Sequence, residues 1–272
     1  MKPFLALPLV VIALTSIAHA EDRRPEIERD LGKQTTVTEV EGFLIAAPPP
    51  GDVTGASTIA RRAIQAYLNN RFKTRPPEPV LVYLFSSNQP YQAYCKKRWH
   101  EPCISIYGFY VGSERRIVLN VGPGVGTLTH ELVHPILRAD FPEAPTWIDE
   151  GLASLYEGFY LGLKNDIYGT KNWRLPRLKQ ALTSQVDKSD VGLEQLFGLS
   201  DETFRDSKED LHYTMARYFC LWMQTRGWLW DFYQRWRDHV ATDPTGKEAF
   251  VAVTGRTLAE LNADWLQYVR LL

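Results

Sequence analysis

The sequence predicts an α+β protein, with strand-forming segments in its first half and helical periodicity through its second. Three observations carry this. Residues 80–85, Val-Leu-Val-Tyr-Leu-Phe, form an unbroken apolar run of strand length. Residues 104–111 and 116–121 read as two strands joined by the turn Gly112-Ser113-Glu114. Beyond Gly122-Pro123-Gly124-Val125-Gly126, apolar residues recur at helical spacing in nearly every periodic segment.

In chain order, residues 21–33 are charged and expected to be loosely ordered. Residues 36–47 alternate as a strand and stop at Pro48-Pro49-Pro50-Gly51. Residues 57–72 carry Ile59, Ala63, Ile64, Tyr67 and Leu68 at helical spacing, ended by Pro76-Pro77. A short helix is expected over 87–98. The second half predicts helices over 127–138, 148–157, 175–182, 209–226, 228–238, 246–254 and 258–271. The division suggests an α/β lobe over 21–126 and a helical lobe over 127–272 that share one domain, with no internal repeat.

Of 272 residues, 44% are hydrophobic and 23% charged, enough for one large core. A net charge of −1 and the lack of a basic tract argue against a nucleic-acid partner. Lys2, the apolar stretch 4–17 and Ala18-His19-Ala20 have the form of an export signal cleaved after residue 20. The apolar stretch is shorter than the roughly 20 residues of a membrane span. The mature chain is therefore expected in the periplasm or outside the cell. Cys95 and Cys103 bracket a short loop and are the expected disulfide, whereas Cys220, within Tyr218-Phe219-Cys220-Leu221-Trp222, reads as a small buried apolar residue.

The motif with the most chemistry is His130-Glu131-Leu132-Val133-His134 on a predicted helix. Residues four apart share a helical face, so both imidazoles can meet one metal ion. Glu131 lies about 100° around the axis from His130, so it can face the same cleft as a general base without being a ligand. A hydrolytic zinc site needs three protein ligands and an open position. Glu150, sixteen residues after His134 in Trp147-Ile148-Asp149-Glu150-Gly151, supplies the third; Asp149 and Glu157 compete for that role. Gly151 and Ala153 would let this helix pack closely under the first.

Thr129-His130-Glu131-Leu132-Val133-His134 followed by Trp147-Ile148-Asp149-Glu150-Gly151-Leu152-Ala153-Ser154-Leu155-Tyr156-Glu157 resembles the gluzincin metallopeptidases, the thermolysin-like clan, and most of all the peptidase-MA-like exported bacterial proteins. The resemblance is specific over 124–157 and looser over 213–230 and 250–268. It implies a zincin-like fold, one Zn²⁺ held by His130, His134 and Glu150, Glu131 as general base, and a peptide or protein substrate. Thermolysin has an Asp four residues after its ligand Glu, which orients a zinc-bound His; Ser154 stands there in this chain, which leaves Asp149 as a source of that support. Pro135 directly follows His134 and should kink the helix near it.

The oxyanion of an attacked carbonyl needs a further donor. The resemblance points to a Tyr or His on a downstream helix, and Tyr213 and His212 are the candidates, Tyr213 falling in a Y-x-x-A-x-x-F pattern with Ala216 and Phe219. The strand 116–121 is either a sheet edge that pairs with an extended substrate or an ordinary strand. Arg174 reads as a surface ion pair or a clamp on a substrate carboxylate. His100 and His239 read as surface residues, and Lys96-Lys97-Arg98 as a solvated loop. The resulting expectation is an exported zinc metallopeptidase. Two rival readings are a degenerate zincin-fold binding or scaffold protein of the cell envelope and a helical exported domain with a fortuitous motif.

Overall fold

The computed structural model describes residues 23–51, 54–69, 71–163 and 165–272; the export signal expected over 1–20 lies outside them. The protein is mixed α+β, with a five-stranded mixed sheet and a large helical part. Among the described residues, no helix is long and apolar enough to cross a membrane.

Helix α1 (Arg24–Leu31) comes first, followed by strands β1 (Thr36–Val40) and β2 (Phe43–Ala47). The single strand expected over 36–47 is thus a hairpin. Glu41 and Gly42, both at positive φ (51° and 86°), make its two-residue turn. The segment expected to be loose is a helix, because Ile27 is fully buried against the sheet and Glu26 and Asp30 pair with the buried Arg116, at 2.5 and 3.1 Å. Removing α1 would take away two of the three carboxylates around that guanidinium and leave only Glu114, at 3.3 Å, an unfavourable change for a buried charge.

Helix α2 (Thr54–Leu68) carries the chain across to β3 (Val80–Phe85), which pairs parallel to β2. After α3 (Asn88–Trp99), strands β4 (Gly108–Val111) and β5 (Arg116–Asn120) complete the order β1-β2-β3-β5-β4. Strand β5 lies inside the sheet, parallel to β3 and antiparallel to β4, so of its two readings the ordinary strand holds and this side of the sheet ends at β4. One expectation is corrected here. Lys96-Lys97-Arg98 form the last turn of α3 rather than a loop. Residues 104–107 are an exposed segment leading into β4.

The helical part comprises α4 (Gly126–Glu131), α5 (Val133–Asp140), α6 (Thr146–Leu155), α7 (Leu175–Thr183), α8 (Leu193–Phe197), α9 (Asp201–Phe204), α10 (Glu209–Arg226), α11 (Leu229–His239), α12 (Lys247–Thr254) and α13 (Leu258–Leu271). A small hairpin, β6 (Phe159–Leu161) with β7 (Ile167–Gly169), was not expected from the periodicity; its strands are three residues each, too short to show alternation.

The central strands β2, β3 and β5 are buried on both faces, which explains the continuous apolar run of β3. Leu81, Tyr83 and Phe85 pack with Ile27, Tyr91 and Tyr94 beneath α1 and α3. Val82 and Leu84 belong to the larger core, which continues without a break to Trp147, Phe219, Trp222 and Trp265 of the helical part. The central contact there is α6 against α10. A Cβ on Gly151 would come within 3.0 Å of the Ala216 carbonyl oxygen and 3.1 Å of Cys220 Sγ, so only glycine fits at this approach. The small residue thus serves packing on α10, not packing under α4. Cys220 is buried there, and Cys95 is disulfide-bonded to Cys103 with Cα atoms 5.3 Å apart.

Candidate metal centre

The helix expected over 127–138 is interrupted at Leu132, between α4 and α5. Pro135 is the cause. It has no N–H to give the carbonyl of Glu131, four residues earlier, and its ring crowds that carbonyl. The kink therefore falls one turn before the proline, between the two histidines. His130 and His134 still share a face, with ring centroids 5.1 Å apart.

Helix α6 brings Glu150 to them. Glu150 Oε2 lies 3.5 Å from His130 Nε2 and 4.0 Å from His134 Nε2. Two ligand atoms about 2.0–2.1 Å from a tetrahedral ion are separated by about 3.3–3.5 Å. Donor atoms of the three residues all fall within 4.8 Å of one another, so the group could hold a metal ion. The donor set itself fits one: Glu150 Oε2 is buried and has no hydrogen-bond partner. A buried carboxylate oxygen without a donor is costly unless a cation answers it.

The second ring nitrogen of each histidine faces a carboxylate. His134 Nδ1 donates to Asp149 Oδ1 at 2.6 Å, which leaves Nε2 free to act as a lone-pair donor. Asp149 therefore supports a histidine instead of competing with Glu150. His130 Nδ1 faces Glu157 Oε1 at 3.4 Å. Glu157 is fixed by two hydrogen bonds from Arg174, at 3.1 and 3.0 Å, and one from Asn172 at 2.9 Å. Arg174 is thus a cleft-wall residue behind His130, stacked 4.3 Å from the Trp173 ring centroid, and not a surface ion pair. Ser154 donates its hydroxyl to the Glu150 carbonyl, so its side chain braces α6 and leaves the histidines to Glu157 and Asp149.

Electrostatics follow from this packing. Burial opposes a charge on His134, but Asp149, Glu150 and Glu131 outweigh it and raise its pKa. Burial likewise opposes a charge on His130, outweighed by Glu150 and Glu157, which push its pKa well up. Burial would raise Glu157, but His130 and Arg174 hold it down at about 2. Glu150 is also held well below the ordinary carboxylate range against the effect of burial, by His130 and His134. Glu131 goes the other way. Burial raises its pKa, and the neighbouring Glu150 and Asp149 add to the rise against the histidines. A more basic carboxylate is better suited to accept a proton.

A cleft of about 710 Å³ opens over these residues. Edge strand β4 and the loop before it form one wall, with Ile104, Tyr107 and Tyr110. Trp173, Arg174, Arg205 and Tyr213 stand among the other lining residues, and Arg138 also reaches the cleft. Tyr213 Oη accepts a hydrogen bond from Arg205 at 3.0 Å. His212 is absent from the lining: it is buried, with Nδ1 3.1 Å from the Phe204 carbonyl oxygen. His100 and His239 are exposed. Sequence reasoning missed Arg205 and the supporting role of Glu157. Arg205 sits in the short connection between the four-residue α9, too brief to be anticipated, and α10, whereas Glu157 was visible as a carboxylate two turns beyond Glu150.

Compared with known proteins, the chain matches no family model, and no curated relative matches it; the reading of the site rests on its own geometry.

Proposed function

We propose that this protein is an exported zinc-dependent peptidase of gluzincin type, with a zincin-like arrangement of sheet, cleft and helices. The observation that carries the reading is the convergence of His130 Nε2, His134 Nε2 and the unpartnered Glu150 Oε2, with Glu131 beside them. These three side chains would hold the ion. When bound, zinc would polarise a substrate carbonyl and lower the pKa of a water.

Glu131 would accept the proton of the attacking water and pass it to the leaving amine. Its raised basicity and its place in the cleft lining suit both tasks. Tyr213, on the cleft wall beside Arg205, would donate to the developing oxyanion. His212 has no line to the cleft and drops out of that role. The lining strand β4 has a free edge, which fits an extended polypeptide that adds a strand. The Cys95–Cys103 disulfide fits an oxidising compartment.

The deciding experiment is Glu131→Gln in zinc-loaded protein, assayed on a peptide library. Hydrolysis should fall at least about 10²-fold while one equivalent of zinc is retained. Hydrolysis that persists with zinc bound would sink the mechanism. A wild-type protein that holds zinc and cleaves nothing would be the degenerate binding protein instead.

A further inference from the structure

Among the three side chains of the metal group, Glu150 is treated differently. The second ring nitrogens of His134 and His130 face carboxylates, whereas the second oxygen of Glu150 meets a cation: Arg205 Nη2 donates to Oε1 at 2.8 Å. The first oxygen, Oε2, is left toward the two histidines without a hydrogen-bond partner. The same guanidinium is committed twice more. Its Nη1 donates to Tyr213 Oη at 3.0 Å and to Glu209 Oε1 at 2.9 Å. Arg205 joins α9 to α10 and is half-exposed on the cleft wall.

We infer that Arg205 is a positioning residue that confines Glu150 to single-oxygen ligation, so that a coordination position stays open, and that fixes the Tyr213 hydroxyl with the same group. The inference rests on the metal-site reading above. A carboxylate can meet a cation through one oxygen or two. Two-oxygen binding by Glu150 would fill the place a hydrolytic site must leave for water and substrate. Engaging Oε1 as well would break the 2.8 Å charge-assisted bond to Arg205, roughly twice as strong as a neutral one. The planar fork matters. A single ammonium cannot hold Glu150 Oε1, Tyr213 Oη and Glu209 Oε1 in this fixed geometry. Glu209, on the first turn of α10, also holds the guanidinium, so the arrangement stands before an ion arrives.

The test compares wild type, Arg205→Met and Arg205→Lys. Zinc affinity is measured by chelator competition, and coordination number by the visible absorption of the cobalt(II)-substituted protein. Wild type should give the intense bands of a four-coordinate ion. Arg205→Met should bind zinc about 10- to 100-fold more weakly, with the weaker cobalt bands of a higher coordination number. Arg205→Lys should recover part of the affinity but keep the weakened bands. Wild-type affinity and bands in Arg205→Met would overturn the inference. If circular dichroism shows that Arg205→Met is unfolded, wild-type bands in Arg205→Lys overturn it alone. A wild-type protein that binds neither zinc nor cobalt overturns the metal-site reading itself, a result distinct from bound metal with an indifferent Arg205.

Discussion

His134 Nδ1 and Asp149 Oδ1 lie 2.6 Å apart, and this bond fixes which face of the imidazole looks into the cleft. Replacing Asp149 with Ala frees the ring to rotate and leaves its N–H without an acceptor. Zinc affinity is expected to fall about 10- to 100-fold, read by chelator competition. Unchanged affinity would mean that the bond is incidental to metal binding.

The same pair sets a pH dependence. Asp149 and its carboxylate neighbours raise the pKa of His134 above its unfolded value of 6.5. In metal-free protein, the stability gained from this pair is full below about 6.5. It is lost as pH rises through the raised value. Zinc requires the neutral ring, so binding must expel protons and tighten as pH rises. Calorimetric titration in buffers of different ionisation enthalpy should show, at pH 7.5, clearly more protons released per zinc than the roughly 0.1 per ring expected of an ordinary imidazole. Release no greater than that would contradict the raised values.

Tyr213→Phe removes a hydroxyl that is not among the three metal-binding side chains and that accepts from Arg205. Its loss is expected to lower kcat by about 10²-fold, within the range found for single oxyanion donors. KM should change little, because the donor acts on charge that develops in the transition state. A change confined to KM would make Tyr213 a substrate-binding residue instead.

Gly151→Ala places a methyl group 3.0 Å from the Ala216 carbonyl oxygen and 3.1 Å from Cys220 Sγ. Overpacking of this kind costs about 1–3 kcal/mol. Because α6 carries both Asp149 and Glu150, the shift should also weaken zinc binding. Denaturant unfolding of metal-free protein reads the first effect, and chelator competition the second. A variant as stable as wild type would show that α6 and α10 can separate freely.

The residues of the proposed zinc site were legible because they are local. His130, Glu131, His134 and Glu150 lie within 21 residues, and helical geometry alone puts the first three in register. Strand β3 and helices α10 and α13 were legible for a similar reason, since a buried strand or a long amphipathic helix shows its period. The cleft walls were not. Ile104, Trp173, Arg174 and Arg205 are brought together by chain separations of up to about a hundred residues, and no period records that. The place of strand β5, edge or interior, was left open because pairing order is a tertiary property; its sequence reads the same in either position. Helix α1 was missed because its charges looked solvated, when two of them belong to a buried arginine.

Pro135 leaves a joint at Leu132, with one histidine on each side of it. An ion gripped by both rings would span that joint like a brace across a hinge. Its binding energy would then go partly into stiffening the floor of the cleft.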